Sequence, residues 1–328
     1  GSKHGNTAPI VMAKGGGQQA GTSTSAASSY HVLDIFALPD GTAKLDVAER
    51  RKIITKMTRS AGPEGFKENA NAHASPISLA EEATVCFVFF WVMGGPFIAL
   101  FLALYAAAFW PLTHTLGLLA FFALMAFHPL PNCTRALAES WFAQATYKYF
   151  SYRFVWADDV TDQIEALPVF IGAGAPHGVM PFSNILSISA INTFAFHSLP
   201  PPEGEGKAGV EGKYEGRDFK GAAASAVFRT PGLRYFTLAG CIDVSAREVT
   251  KAVSKGLSVG IVVDGIAGIF RSNRGDEEVV AIRHRKGLAK LALRTGTPLV
   301  AAYSVGNTEV FTAGVDPRGG GGWVHMGG

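Results

Sequence analysis

The stretch ATVCFVFFWVMGGPFIALFLALYAAAFWPLTHTLGLLAFFALMAF, residues 83–127, contains no Asp, Glu, Lys or Arg, and that run continues to Thr134. An α-helix rises about 1.5 Å per residue, so roughly 20 apolar residues cross the hydrocarbon of a bilayer. Thr84 to Trp110 supplies one generous span. Pro111 and Thr113-His114-Thr115 then interrupt the pattern, and Leu116 to Phe127 resumes it, with Leu112 as an alternative start. This second segment is short for a crossing, so it either re-enters or thins the bilayer. His128-Pro129-Leu130-Pro131 stops the helix, because proline lacks a backbone N–H and pushes its predecessor out of helical geometry. The alternative is a hairpin buried in a soluble core. A charge-free run this long fits lipid better, where every backbone polar group must be satisfied within the segment.

The flanks point to an orientation. Arg50, Arg51, Lys52, Lys56, Arg59 and Lys67 precede the block, and Arg135, Lys148 and Arg153 follow it. Positive charge on both sides fits a hairpin with both ends in the cytosol. Trp91, Trp110 and Trp141 are suited to the membrane interface. Composition agrees: of 328 residues 48% are hydrophobic and only 17% charged, against about 25% charged in soluble domains. Mean hydropathy is +0.20. A net charge of +3 gives no argument for nucleic acid. Cys86, Cys133 and Cys241 lack a CxxC spacing, which argues against a disulfide framework or a zinc site and for a reducing compartment. The start at Gly1-Ser2 and the glycine-rich end, Gly319 to Gly322 and Gly327-Gly328, read as truncated or processed termini.

Five segments follow. Residues 1–43, rich in Gly, Ser, Ala and Thr, are expected to be disordered. Residues 44–82 form a basic juxtamembrane segment in which Leu45, Val47, Ile53, Ile54 and Met57 mark a helix, either on the membrane surface or solvated. Residues 83–131 are the transmembrane or re-entrant hairpin. Residues 132–312 form a cytosolic domain, opening with an interfacial aromatic stretch from Trp141 to Trp156. Residues 313–328 are a glycine-rich tail. Within the domain, strands are expected at Pro168 to Ile171, Leu257 to Val263, Val279 to Ile282 and Leu299 to Tyr303. Helices are expected at Val179 to Phe196, Arg247 to Lys255 and Lys286 to Arg294, the last two closed by Gly256 and Gly296. Pro200 to Lys220 is a polar loop. Strands alternating with helices predict an α/β fold, a mixed sheet flanked by helices.

Ala175-Pro176-His177-Gly178 is the sharpest local motif. It follows a predicted strand and precedes a predicted helix, the position where open α/β sheets build their sites. An imidazole there can accept a proton at neutral pH and activate an alcohol. A structural histidine in a turn is the competing reading.

These residues resemble the His-containing tetrapeptide of the type-2 diacylglycerol acyltransferase family, which also includes monoacylglycerol and wax-alcohol acyltransferases. Arg229-Thr230-Pro231-Gly232-Leu233-Arg234-Tyr235 and Ser245-Ala246-Arg247-Glu248 look like its middle region. Leu257 through Phe270 looks like its glycine block, and Arg285-Lys286-Gly287-Leu288-Ala289-Lys290-Leu291-Ala292 like its basic helix. Pro298-Leu299-Val300 and Gly306-Asn307-Thr308-Glu309-Val310-Phe311 complete the order, so the resemblance covers about residues 84–312.

The resemblance implies transfer of a fatty acyl group from acyl-CoA to diacylglycerol, forming triacylglycerol at the endoplasmic reticulum and lipid droplets. The alternatives are a monoacylglycerol or long-chain alcohol acceptor, and a non-catalytic lipid-binding or scaffold relative. It implies no metal and no cofactor beyond acyl-CoA as co-substrate. Membrane lipid and a second copy of the chain are further candidate partners. His177 would act as general base, with backbone amides around Gly178 as oxyanion donors. Pro176, Asn184, Arg283, Arg285, Lys286 and Asn307 are the substrate-binding candidates, the basic ones for the phosphates of CoA. The sequence departs from the family at Val263-Asp264-Gly265, where Pro-Gly-Gly is usual, and at Gly268, where Glu is expected. Asp264 is the candidate replacement carboxylate. Position 175 carries Ala where the family varies, and the His-x4-Asp pattern of glycerolipid acyltransferases is absent because Phe182 stands five residues after His177.

Overall fold

The computed structural model describes residues 10–13, 30–61, 77–131, 133–157, 160–165, 167–194, 218–271, 273–274, 277–283, 285–315 and 322–326. Strands β1 (Ile10–Ala13), β2 (Tyr30–Asp34), β3 (Arg59–Ala61), β4 (Arg153–Ala157), β5 (Ile171–Ala175), β6 (Phe219–Ala223), β7 (Cys241–Asp243), β8 (Ser258–Val262) and β11 (Leu299–Ser304) build one sheet. Its order is β3-β2-β4-β1-β11-β5-β8-β6-β7. From β11 to β7 every neighbouring pair is parallel, and β1–β11, β2–β3 and β2–β4 are antiparallel. The remaining strands pair locally, β9 (Asn273–Arg274) with β10 (Glu277–Glu278) and β12 (Phe311–Val315) with β13 (Gly322–Met326).

The helices are α1 (Val47–Met57), α2 (Leu79–Phe109), α3 (Leu112–Phe127), α4 (Thr134–Ala138), α5 (Trp141–Tyr149), α6 (Val160–Glu165), α7 (Phe182–Phe194), α8 (Ala246–Ser254), α9 (Gly265–Arg271) and α10 (Gly287–Thr295). The main core joins Leu33, Ile35, Ile54, Tyr147, Phe154, Ile188, Phe194 and Phe219. A smaller cluster joins Val249 and Ala252 of α8 to Val259 of β8, with Leu291 of α10 packed against it. Gly256 and Gly296 follow α8 and α10 with φ of 81° and 64°, as left-handed stops require.

The apolar block folds as expected into α2 and α3. Helix α2 has 31 residues and a mean hydropathy of 2.3 over its most apolar window, of which only 11% is buried within the protein. By length and composition it is long enough to cross a membrane; α3 is shorter. Its first turns, however, belong to the domain. A capping box between Ser78 and Glu81 starts the helix, and Lys148 Nζ donates to Glu81 Oε1 at 2.8 Å. Val85 and Val92 are buried, whereas Phe97, Phe101 and Phe109 are exposed. Phe89 lies 4.9 Å from the ring centre of Phe182 and 5.8 Å from that of Phe150. Arg234, buried to 4% exposure, donates to the carbonyls of Met125 and His128 at the end of α3. Thr115 Oγ1 ties α3 back to the Ala106 carbonyl of α2 at 2.9 Å.

Several expectations need correction. Residues 30–43 are not disordered: β2 and the turns Ile35–Ala37 and Thr42–Lys44 carry buried Leu33, Ile35 and Phe36. Long-range pairing with β4, invisible in local composition, orders them. The basic helix α1 is neither free nor lying on a membrane along its apolar face, because Ile54 is fully buried in the core and Arg50 donates to the Thr193 carbonyl. The stretch from Trp141 to Trp156 is not one interfacial element: it divides into helix α5 and the buried strand β4 of the sheet. The strand expected to end at Gly172 instead runs through Gly172 and Gly174 to Ala175. No strand forms over Val279 to Ile282. Part of the tail expected from residue 313 is in β12 and β13. Most of the Pro200 to Lys220 loop lies outside the described residues, apart from its end, where β6 begins.

Candidate active site

β5 sits between two parallel neighbours, β11 and β8, and its carboxyl end delivers Ala175-Pro176-His177-Gly178. Such an end, beside the start of a following helix, is where open sheets leave a crevice. The Ala175–Pro176 peptide is cis. Gly178 has φ of 61°, and a Cβ there would lie 2.8 Å from the Asn307 carbonyl oxygen, so only glycine fits.

The loop is held from three sides. Asn307, 3% exposed, donates through Nδ2 to the carbonyls of His177 at 2.7 Å and Pro176 at 3.2 Å. Its Oδ1 accepts the Ser183 N–H at 3.0 Å. Asn184 Nδ2 reaches the Pro176 carbonyl at 3.3 Å, and Asp264 Oδ2 accepts the backbone N–H of His177 at 3.0 Å. Each polar end of Asn307 is therefore engaged with the motif or with the helix that follows it. Asn184 occupies the space beside Gly174, where a Cβ would be 2.6 Å from Asn184 Oδ1.

The imidazole is half-buried, and its Nδ1 is 2.8 Å from the Gly178 carbonyl oxygen. A carbonyl only accepts, so Nδ1 must carry the hydrogen. The lone pair of the neutral ring is then on Nε2. Asp264 is completely buried, and its Oδ1 has no hydrogen-bond partner among the described residues.

The basic candidates divide. Arg283, Arg285 and Lys286 are all exposed. Arg285 Nη1 lies 3.1 Å from the point where a Cβ of Gly265 would stand, one residue from Asp264. Among the described residues no hydrogen bond or ion pair joins Arg283 or Lys286 to the motif, and His284 lies outside them. Phe182, 3% exposed, packs against Phe89, Phe150, Phe236 and Phe311. An apolar crevice lies alongside, lined by Phe150, Phe182, Leu186, Val305 and Val310, with Ser183 and Asn307 as its polar wall. A Cβ on residue 268 would stand 2.2 Å from Asp264 Oδ2 and 2.9 Å from His177 Cβ. The signal for the 264–268 pair is its spacing, since residues four apart near a helix start share a face.

The motif thus sets His177, its Nδ1 bonded to the Gly178 carbonyl, at the carboxyl end of a parallel strand, in a chain that also carries a long apolar helix. The family model for diacylglycerol acyltransferase matches residues 103–323, more than half of the chain. The chain belongs to the diacylglycerol acyltransferase family, as a diverged member. It is 31% identical to human diacylglycerol O-acyltransferase 2 over 186 residues, 55% of this chain and 44% of that protein. It is 28% identical to bovine diacylglycerol O-acyltransferase 2-like protein 6 over 177 residues, 53% of this chain and 48% of that protein. The chain thus spans about half the length of these curated relatives. No solved structure matches it.

Proposed function

We propose that the chain is a membrane-anchored acyl-CoA:diacylglycerol O-acyltransferase that forms triacylglycerol, with its domain on the cytosolic face of the endoplasmic reticulum. The observation that carries this reading is the bond between His177 Nδ1 and the Gly178 carbonyl, which leaves Nε2 as a base. In the proposed reaction Nε2 takes the proton of the acceptor hydroxyl as its oxygen attacks the thioester carbonyl. The C–S bond then breaks, and the departing CoA sulfur is protonated by the imidazolium. Because the His177 N–H is held by Asp264, the Gly178 N–H is the amide assigned to the oxyanion. Arg283, Arg285 and Lys286 are assigned to the phosphates of CoA. Pro176, Asn184 and Asn307 act on substrate indirectly, by shaping the wall it meets. Both substrates are largely apolar, and α2 holds the site where they dissolve.

The test is expression in cells unable to make neutral lipid, followed by labelled acyl-CoA offered with diacylglycerol, monoacylglycerol or a long-chain alcohol. Labelled triacylglycerol that disappears in His177→Ala supports the reading. A preference for monoacylglycerol or alcohol replaces the acceptor. No product from a folded, membrane-inserted chain overturns the enzyme reading in favour of a lipid-binding or scaffold role.

A further inference from the structure

Gly268 is more than the loss of a side chain. A Cβ at this position would stand 2.2 Å from Asp264 Oδ2, 2.6 Å from Asp264 Cγ and 2.9 Å from His177 Cβ. The space a side chain on residue 268 would need is therefore filled by the Asp264 carboxylate, which flanks the same point as the root of the imidazole. Both residues lie on one short segment: Asp264 immediately precedes α9 and Gly268 is one turn into it.

Asp264 is 0% exposed. Burying a carboxylate is unfavourable unless its oxygens are paired. Oδ2 is paired, with the His177 N–H at 3.0 Å, but Oδ1 has no partner among the described residues. A purely structural residue would be served as well by an uncharged acceptor such as asparagine, without an unpaired charge. What the charge adds is an attraction for positive charge a few ångströms away, and the base of the imidazole lies there.

We propose that Asp264 is the positioning carboxylate of this site, and that it holds the His177 backbone through Oδ2 while its charge stabilises the imidazolium formed during acyl transfer. Gly268 is its obligate companion, because any side chain there would displace it. The inference rests on the proposed role of His177. The proton on the imidazolium comes from the acceptor hydroxyl and leaves with the CoA sulfur, so Asp264 itself neither gains nor loses one.

The test uses the full chain in membranes, with acyl-CoA and the acceptor found active above. Asp264→Asn keeps an oxygen for the His177 N–H and removes the charge. Its kcat should fall about 30-fold with KM for acyl-CoA within twofold, since only the charged transition state loses support. A second variant guards against misfolding: Asp264→Gly combined with Gly268→Glu returns a carboxylate to the same space from the other position. It should recover at least tenfold over Asp264→Gly alone. Turnover within threefold of the unaltered chain in Asp264→Asn would overturn the proposal, as would a double variant no better than Asp264→Gly. If His177→Ala retains full activity, the proposed function fails instead.

Discussion

Gly95 of the long apolar helix and Gly232 of the domain lie in backbone contact: a Cβ on Gly95 would stand 3.3 Å from the Gly232 Cα. The contact follows from Pro96, which lacks an N–H and so leaves the Val92 carbonyl without its helical donor. The Pro231-Gly232 turn sits against that carbonyl, with Gly232 at φ of 84°. This is how α2 and the domain become one body rather than an anchor on a tether.

Gly232→Ala should therefore loosen the hairpin. Its Cβ would meet the Val92 oxygen at 2.6 Å, in a backbone conformation that L-residues disfavour. The expected destabilisation is about 1–3 kcal/mol, read as a melting point lowered by roughly 3–10 °C in detergent. Faster proteolysis between Phe127 and Trp141 should accompany it. An unchanged melting point would show that the contact does not hold the two parts together.

Asn307→Ala should disable the site without unfolding the sheet. It removes two donors from the carbonyls of Pro176 and His177 and one acceptor from the Ser183 N–H. Misplacement of a catalytic group by about 1 Å lowers turnover by the order of 100-fold, and that is the loss expected in kcat. Asn307→Asp should be at least as damaging, because a carboxylate would face two carbonyl oxygens. Activity within threefold in Asn307→Ala would remove Asn307 from the positioning of His177.

Arg285 and Arg283 should behave differently although both are exposed. Arg285 lies against Gly265, beside Asp264. Arg285→Ala is expected to raise KM for acyl-CoA about tenfold, in line with loss of one charge-assisted phosphate contact. Arg283→Ala should change it less than threefold. Raising ionic strength should narrow the gap. Equal effects would mean a diffuse basic face rather than a defined contact.

Cys241 should be chemically silent in the folded protein. Burial pushes its thiol up to about 12 from an ordinary value near 9. At pH 8 the thiolate is then negligible, and alkylation should label exposed Cys86 in detergent much faster than the partly buried Cys241. The sign for stability follows. The folded state binds the thiol proton more tightly, so this contribution is complete below about pH 9 and is lost as pH rises toward 12. Native labelling of Cys241 as fast as that of Cys86 at pH 8 would contradict the raised thiol pKa.

Some of this was legible locally. The capped ends of α8 and α10 needed only Gly256 and Gly296 after an amphipathic run. The order of α2 and α3 followed from Pro111 and the Pro-rich stop after Phe127. The elements misread share a cause. β5 is Ile-Gly-Ala-Gly-Ala, with almost none of the branched residues that mark strands. It is a strand because β11 and β8 pair with it on both sides, and its Gly174 admits the Asn184 amide. β2, from the segment expected to be disordered, exists because β4 lies beside it.

By itself, then, the sequence determined what a single stretch of chain can decide: an apolar block too long and too free of charge to be ordinary, the alternation that makes an α/β domain, and a histidine in a strand-to-helix turn. These follow from local composition and periodicity, which act within a few residues. Only the tertiary structure decided that Asn307 and Asp264, 130 and 87 residues away in the chain, close on His177, that Gly268 is empty because Asp264 fills it, and that α2 is seated on the domain at Gly232. Contacts between distant segments depend on sheet order and close packing, and neither is written in any one window of residues.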